Sequence, residues 1–259
     1  MFNVAEPIQL NLGALRSVMD LTLHTHHAAR IWHGRTASDG KNGIIGLSGF
    51  VGIMNKMKRG AELDDPYSDW WIIQVEEKIA TCKVELNLIQ EKLDQVMSGL
   101  PPTLNIGDNL SVHPVKLPLF INAKLGFMAV YLLTQFDELA RRLLLAHHTA
   151  LIGRRDMEVW LNEGAHVLRS LFGLAQRFKY SGAARDDFAA NNARAREARE
   201  AFGELPQDVL EGTRRSEFAP VIVRAKAQSA AGEWDIETVS DSVEASERTG
   251  ADESEVGEG

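Results

Sequence analysis

One apolar pattern restricts the fold of this chain more than any other: a heptad repeat within a predicted helix over residues 66–97. The positions that share one face step by three and four residues in turn, and they are Ile72, Val75, Ile79, Cys82, Leu86, Ile89, Leu93 and Val96. Asp65 is placed to cap the first turn, and Pro66 suits a first helical position that needs no N–H donor. The pattern predicts a long helix with an apolar seam, formed by these eight residues, that needs a helical partner.

The charges beside the seam favour a partner from the same chain. In a parallel homodimeric coiled coil, Lys78 would face Lys83 and Glu85 would face the uncharged Gln90. Neither contact selects a dimer, because like charges repel and a neutral amide offers no ion pair. We therefore expect this helix to pack inside its own fold.

A strand and two long helices are predicted after the Gly/Pro-rich stretch 98–109. Between residues 114 and 121, apolar side chains alternate with Lys116, Pro118 and Phe120, which is the pattern of a strand with one buried face. Pro118 excludes a central strand, so we expect a two-stranded ribbon, completed either by a second chain or within the same chain. The helices on either side of Gly153 form a predicted helical hairpin, and a further helix is expected from Asp186 or Asp187 to Phe202.

Acidic charge is concentrated at the end of the chain. Residues 231–259 contain ten acidic residues and one basic residue, whereas residues 1–230 contain 26 acidic and 27 basic residues. The Glu, Asp, Ser and Gly content of this last segment predicts a disordered tail. We expect three regions: a helical region at 1–100 that includes the heptad helix, a ribbon plus helical region at 101–230, and the acidic tail at 231–259.

Cysteine content and hydropathy bear on the compartment. Cys82 is the only cysteine, which excludes an intramolecular disulfide and is typical of a reducing environment. The first 20 residues have Glu6 where a signal peptide has basic residues, and no run approaches the roughly 20 apolar residues of a membrane helix. We expect a cytoplasmic protein that does not contact membranes.

Several clusters resemble functional motifs but have simpler explanations. The histidines at 24–33 lack a carboxylate or cysteine in a known ligand spacing, so we expect a polar helix end and no metal. The glycines at 43–52 lack the Lys-Ser/Thr of a phosphate loop and predict a tight turn or close backbone packing. Asp64, Asp65 and Asp69 are explained by helix capping and the helix dipole. Without a catalytic motif, we predict no enzyme activity, no cofactor and no small-molecule ligand.

The ribbon and the hairpin also carry residues suited to nucleic acid. Lys116 and Phe120 occupy the predicted exposed face, and a two-stranded ribbon fits the major groove of DNA. Arg154 and Arg155 begin the following helix, where guanidinium groups and free backbone N–H groups can hold a phosphate together. A solvated turn and a purely structural strand explain the same residues equally well.

Four segments together resemble a known family. They are LHTHHAARIWHGR at 23–35, DDPYSDWWIIQVEEK at 64–78, SVHPVKLPLFI at 111–121 and LPQDVLEGTRRSEFAP at 205–220. They look like proteins of integrating conjugative elements related to the AcaB-like transcriptional regulators of conjugative plasmids. The similarity extends from about residue 15 to about residue 222.

The resemblance implies a regulator that binds double-stranded promoter DNA of a mobile element as a homodimer, through a ribbon-helix-helix unit. Lys116 and Phe120 would then face the bases, and Lys124, Arg154 and Arg155 would hold phosphates. The expected fold class is mainly α, a long-helix bundle with a short β-ribbon (ribbon-helix-helix-like) element and a disordered acidic C-terminal tail. The alternative function is a non-enzymatic helical scaffold or accessory protein of conjugative transfer that binds protein partners.

Overall fold

The computed structural model describes residues 19–37, 42–100, 107 and 109–223. The chain divides into two units, Met1–Arg224 and Ala225–Gly259. The second unit contains the predicted acidic tail and lies outside the described residues, so the disorder of the tail stays a prediction. The first unit is mainly helical with short antiparallel ribbons, which confirms the expected fold class.

The predicted heptad helix is α3, Pro66–Met97, with Asp65 as its N-cap. The Asp65 carboxylate accepts hydrogen bonds from the backbone N–H of Tyr67 and the hydroxyl of Ser68. Seven of the eight seam residues are buried, and Val96 packs against the same core. The helices that cover the seam are α2 (Leu47–Glu62), α4 (Lys124–His148) and α5 (Arg154–Ala175). The helix therefore packs inside its own chain, as its charge pattern predicts.

Helices α4 and α5 form the predicted hairpin around Gly153. Both helices also pack on α3, so the core joins the two helical regions expected from the sequence. Gly164 of α5 marks a close contact in this core, since a Cβ there would lie 2.9 Å from the ring of Phe136 on α4. The buried ring occupies the space that the glycine leaves open.

The ribbon consists of β1 (Asp20–Leu23) and β4 (Val115–Pro118), paired antiparallel. Its second strand therefore comes from the same chain, one of the two possibilities that the sequence leaves open. Lys116, Pro118 and Phe120 are exposed as the alternation predicts, and Leu117 and Leu119 point toward the core. Val115 departs from the pattern, because 45% of it remains exposed at the end of the ribbon.

A short helix, α1 (His26–His33), leads from the ribbon into a second ribbon formed by β2 (Gly34–Arg35) and β3 (Ile44–Ile45). Gly46 follows β3 and touches the end of α1: a Cβ on Gly46 would lie 1.9 Å from the carbonyl oxygen of Trp32. The glycine-rich segment thus serves close backbone packing, one of the two structural roles expected from its sequence.

The C-terminal part contains α6 (Arg185–Ala189), α7 (Ala193–Phe202) and α8 (Gln207–Leu210). The prediction of one helix from Asp186 or Asp187 to Phe202 is wrong, because the helix is interrupted between α6 and α7. Asn191 adopts a positive φ of 45°, and the side chain of Asn192 caps α7 by accepting a hydrogen bond from the N–H of Ala195. Asparagine tolerates the left-handed region better than most residues, and its side chain competes with helical hydrogen bonding.

Two arginines attach this C-terminal part to α3. The fully buried carboxylate of Asp69 accepts hydrogen bonds from Arg185 at 2.7 Å and from Arg215 at 2.8 and 3.0 Å. Arg185 also pairs with Asp64 at 2.5 Å and donates to the carbonyl oxygen of Val209. Asp69 therefore does more than complement the helix dipole, since it is the centre of a buried ion network.

We expect Asp69→Ala to lower the free energy of unfolding by about 3–5 kcal/mol, because it leaves two poorly solvated guanidinium groups without their carboxylate. Urea unfolding followed by circular dichroism measures the change. The matched control is Asp94→Ala, which removes a half-exposed carboxylate of the same helix from its pair with Arg142 and should cost no more than about 1 kcal/mol. Equal losses in the two variants would contradict the role of Asp69.

A pair of glycine substitutions on α5 tests the close contact in the core. Gly164→Ala should destabilise the protein by about 1–3 kcal/mol, because the added methyl group displaces the buried Phe136 ring. Gly173→Ala, on the same helix but with nothing within 4 Å of the added Cβ, should stabilise it by up to about 1 kcal/mol through helix propensity. Thermal unfolding of the two variants should therefore shift in opposite directions.

Candidate nucleic-acid interface

The outer face of the β1–β4 ribbon carries the first of the predicted site residues. Lys116 lies opposite Thr22 in the register, and both are exposed. Within the described residues Lys116 forms no ion pair, although Asp20 lies on the same face. Phe120 follows the strand and is 83% exposed, an unusual position for a large aromatic ring. The ribbon thus presents one cationic and one aromatic side chain to solvent.

The ribbon is held in place by one buried carboxylate on α4. Asp137 accepts hydrogen bonds from the backbone N–H groups of His24 and Thr25, both at 2.9 Å, and from the Thr25 hydroxyl at 2.7 Å. Thr25 in turn caps α1, where its hydroxyl oxygen accepts a hydrogen bond from the N–H of Ala28. The end of the ribbon and the start of α1 are therefore fixed to the middle of α4 by the same two residues.

Lys124 begins α4 shortly after the ribbon. Its ammonium group lies 4.4 Å from the centre of the Phe218 ring, within the range of a cation–π contact. The side chain remains exposed, and the neighbouring Lys58 donates a hydrogen bond to the carbonyl oxygen of Asn122 just before the helix. Lys116, Phe120 and Lys124 thus lie within one short stretch that leads into α4.

Arg154 and Arg155 lie at the other end of the hairpin, in the first turn of α5. Both are exposed, and Arg154 pairs with Glu158 at 2.8 Å, a hydrogen bond that raises the pKa of the Arg154 guanidinium. The helix begins at Gly153, which provides no side-chain cap. From Lys124 to His148 the axis of α4 measures about 36 Å, and Arg154 follows after a short connection at the far end of this helix. The five predicted residues therefore form two groups, one at each end of α4.

A second basic surface was missed by sequence reasoning. His26, Arg30 and His33 are exposed along one face of α1, at the i, i+4 and i+7 spacing of a helical stripe. Beside this stripe, Arg30, Arg35 and Arg169 line a small recess, here called the basic recess, whose apolar wall is formed by Ile31, Ile44, Ile45 and Phe172. The helical spacing could have revealed the stripe, but nothing in the sequence indicates that Arg169 of α5 joins it.

Burial and like charges perturb the groups around the basic recess. Burial lowers the pKa of His27 below its usual 6.5, and the charges of Arg30, His26 and Arg169 lower it further. Burial likewise lowers the pKa of Arg169, with added repulsion from Arg35 and Arg30. Both shifts have the direction expected where positive charges gather without a compensating anion.

The histidine cluster is divided between different roles. His24 uses its ring Nδ1 to accept a hydrogen bond from the backbone N–H of Ser111, which ties the loop before β4 to the ribbon. His26 and His33 are exposed on α1, and His27 is half-buried. In the described part of the chain, no group of three or more His, Cys, Asp or Glu residues is arranged to hold a metal ion. None of the described helices is both long and apolar enough to span a bilayer.

Comparison with known proteins relates the chain to one family. The family model described as "AcaB: Transcriptional regulator AcaB" matches residues 11–223. Among solved structures, the crystal structure of selenomethionine-containing AcaB from uropathogenic E. coli matches with 15% sequence identity and a TM-score of 0.49, covering 77% of this chain and 100% of that chain. No curated protein matches the sequence.

The lowered pKa of His27 predicts a dependence of stability on pH. Below about pH 6.5 the unfolded chain protonates this histidine, whereas the folded chain does so only at lower pH. Protonation therefore favours the unfolded state, and stability falls as the pH drops below 6.5. His27→Gln should remove this part of the loss when urea unfolding is compared at pH 7.5 and 5.5. His113→Gln, which removes an exposed imidazole before β4, is the control, and a wild-type pH profile in His27→Gln would contradict the assignment.

Proposed function

The chain belongs to the AcaB family of transcriptional regulators, and on this basis we propose that it regulates transcription by binding double-stranded promoter DNA with the β1–β4 ribbon. The observation that carries the proposal is the outer face of the ribbon, where Lys116 and Phe120 are exposed on a two-stranded antiparallel element. Such an element fits the major groove, where a lysine can read guanine and an aromatic ring can contact a thymine methyl group.

The remaining predicted residues contact the DNA backbone in this proposal. Lys124 binds a phosphate close to the ribbon, and Arg154 and Arg155 bind phosphates at the far end of α4. The length of α4 from Lys124 to His148, about 36 Å, supports this division, because one turn of B-DNA also measures about 34–36 Å. With α4 parallel to the duplex axis, both groups would reach the same side of the DNA, one turn apart.

The proposal assigns the protein to an integrating conjugative element, whose transfer genes it would control from the cytoplasm. It requires no catalysis and no cofactor. A homodimer belongs to the proposal because dimeric readers bind two half-sites one helical turn apart. Since β4 is already paired with β1, the dimer would form through a surface other than the edge at which these strands meet.

Substitution of Lys116 tests the contact with the bases. Lys116→Ala should weaken binding to the cognate promoter by about 1–3 kcal/mol and leave binding to a scrambled duplex nearly unchanged. Fluorescence anisotropy with both labelled duplexes at several salt concentrations gives the two affinities. Lys83→Ala removes an exposed lysine from α3 and controls for the loss of one positive charge. Unchanged promoter binding in Lys116→Ala would remove the ribbon from the proposal.

Substitution of the arginine pair tests the backbone contacts separately. Arg154→Ala together with Arg155→Ala should weaken binding to cognate and scrambled duplexes alike, because phosphates carry no direct sequence information. The slope of log K against log salt should become less steep by about 0.9 for each phosphate that the protein no longer neutralises. A protein that binds no duplex at low salt would instead favour the alternative, a helical accessory protein of conjugative transfer that binds other proteins.

A further inference from the structure

Three different elements contribute one arginine each to the basic recess. Arg30 comes from the exposed face of α1, Arg35 from β2 and Arg169 from the half-buried side of α5. Arg35 also donates a hydrogen bond to the carbonyl oxygen of Asn42 at 3.0 Å. The recess is therefore assembled by tertiary packing and is not a run of basic residues along one exposed helix.

The charges in the recess are not balanced within the described residues. None of the three arginines of the recess forms an ion pair with a described residue. By contrast, Arg185 and Arg215 share the carboxylate of Asp69. Guanidinium groups that are brought together without an anion repel one another, and the half-buried Arg169 also loses hydration. This repulsion destabilises the free protein, and an anion bound by the arginines at the mouth of the recess would relieve it.

The backbone around the recess is held in place by close packing. Gly34, at the start of β2, has a φ of 80°, and a Cβ there would lie 2.4 Å from the backbone nitrogen of Gly46. Gln176 at the end of α5 links the β2–β3 ribbon to that helix, since its side chain accepts a hydrogen bond from the N–H of Ile45. The backbone segments that carry Arg35 and Arg169 are thus fixed relative to each other before any ligand binds.

The recess is also fixed relative to the outer face of the β1–β4 ribbon. Thr25, clamped by Asp137, joins the ribbon directly to α1, and the eight residues of α1 span about 12 Å. The major groove of B-DNA is about 12 Å wide and is bordered by phosphates. A duplex that holds the ribbon in its groove would therefore place backbone phosphates within reach of α1.

We propose that Arg30, Arg35 and Arg169 bind a backbone phosphate of the duplex whose groove holds the ribbon. This inference rests on the proposed function and adds a phosphate site that includes none of the five residues predicted from the sequence. Arginine suits the role because its planar group donates paired hydrogen bonds to phosphate oxygens and stays charged at neutral pH. The ligand is recognised by its phosphodiester charge, so the site contributes affinity without sequence preference.

The test compares Arg169→Gln, the double variant Arg30→Gln/Arg35→Gln, and the triple variant with the wild-type protein. In anisotropy titrations with cognate and scrambled duplexes, the triple variant should show a salt slope less steep by about 0.9, the loss of one phosphate, which is about fivefold in affinity at 0.15 M salt. Arg169→Gln and the double variant should each show part of this loss. The affinity should fall equally for both duplexes. Arg196→Gln, which removes an exposed arginine of α7, should bind as the wild type does.

Stability separates this phosphate site from a structural role. Because Arg169→Gln removes repulsion from the free protein, its thermal midpoint should stay unchanged or rise while DNA binding weakens. If Arg169→Gln instead unfolds at a lower temperature, the DNA affinity of Arg30→Gln/Arg35→Gln tests the phosphate site, since neither of these two side chains is buried. Wild-type salt slopes in the double and triple variants would overturn the phosphate site and leave the proposed function standing. A wild-type protein that binds no duplex at low salt would overturn both.

Discussion

Burial of the α3 seam is the constraint on which the rest of the structure depends. The helix has 32 residues, about 48 Å, and no single short element can cover an apolar seam of that length. Two further long helices, α4 and α5, cover the seam, and α2 packs beside the first turns of α3. The smaller elements then occupy the outside of this bundle. The ribbon and the basic recess are both placed by a scaffold whose geometry α3 determines.

The features that could be predicted are those that depend on neighbours along the chain. The seam, the Asp65 cap and the alternation around Lys116 are local patterns, so the sequence contains all the information they require. Contacts between segments that are distant along the chain could not be predicted from such local patterns. Strand β1 alternates polar and apolar residues over only four positions, too few to identify a strand, and Arg169 reaches Arg30 and Arg35 through tertiary packing. The break at Asn191 was missed because apolar and charged residues continue a helical pattern across it.

Net charge is a poor guide to where this protein can bind an anion. The first 230 residues are nearly neutral, with 27 basic and 26 acidic residues, which argues against a strongly electropositive surface. The described structure divides these charges unevenly. Arg185, Arg214 and Arg215, near the C-terminal end of the fold, are paired with buried or half-exposed carboxylates, whereas the arginines of the basic recess form no ion pair with any described residue. Local imbalance of this kind attracts a ligand even where the total charge does not.

The ion network at Asp69 also has a consequence for biosynthesis. Arg215 follows Asp69 by 146 residues, so at about 5–20 residues per second the ribosome completes this pair only about 7 to 30 seconds after it has made the carboxylate. Until then Arg185, which follows Asp69 by 116 residues, is the only one of the two arginines that can balance its charge, so burying the carboxylate costs more than in the complete chain. A chain truncated before residue 215 would keep every buried residue of the main apolar core but would bury the Asp69 carboxylate with only one of its two guanidinium partners.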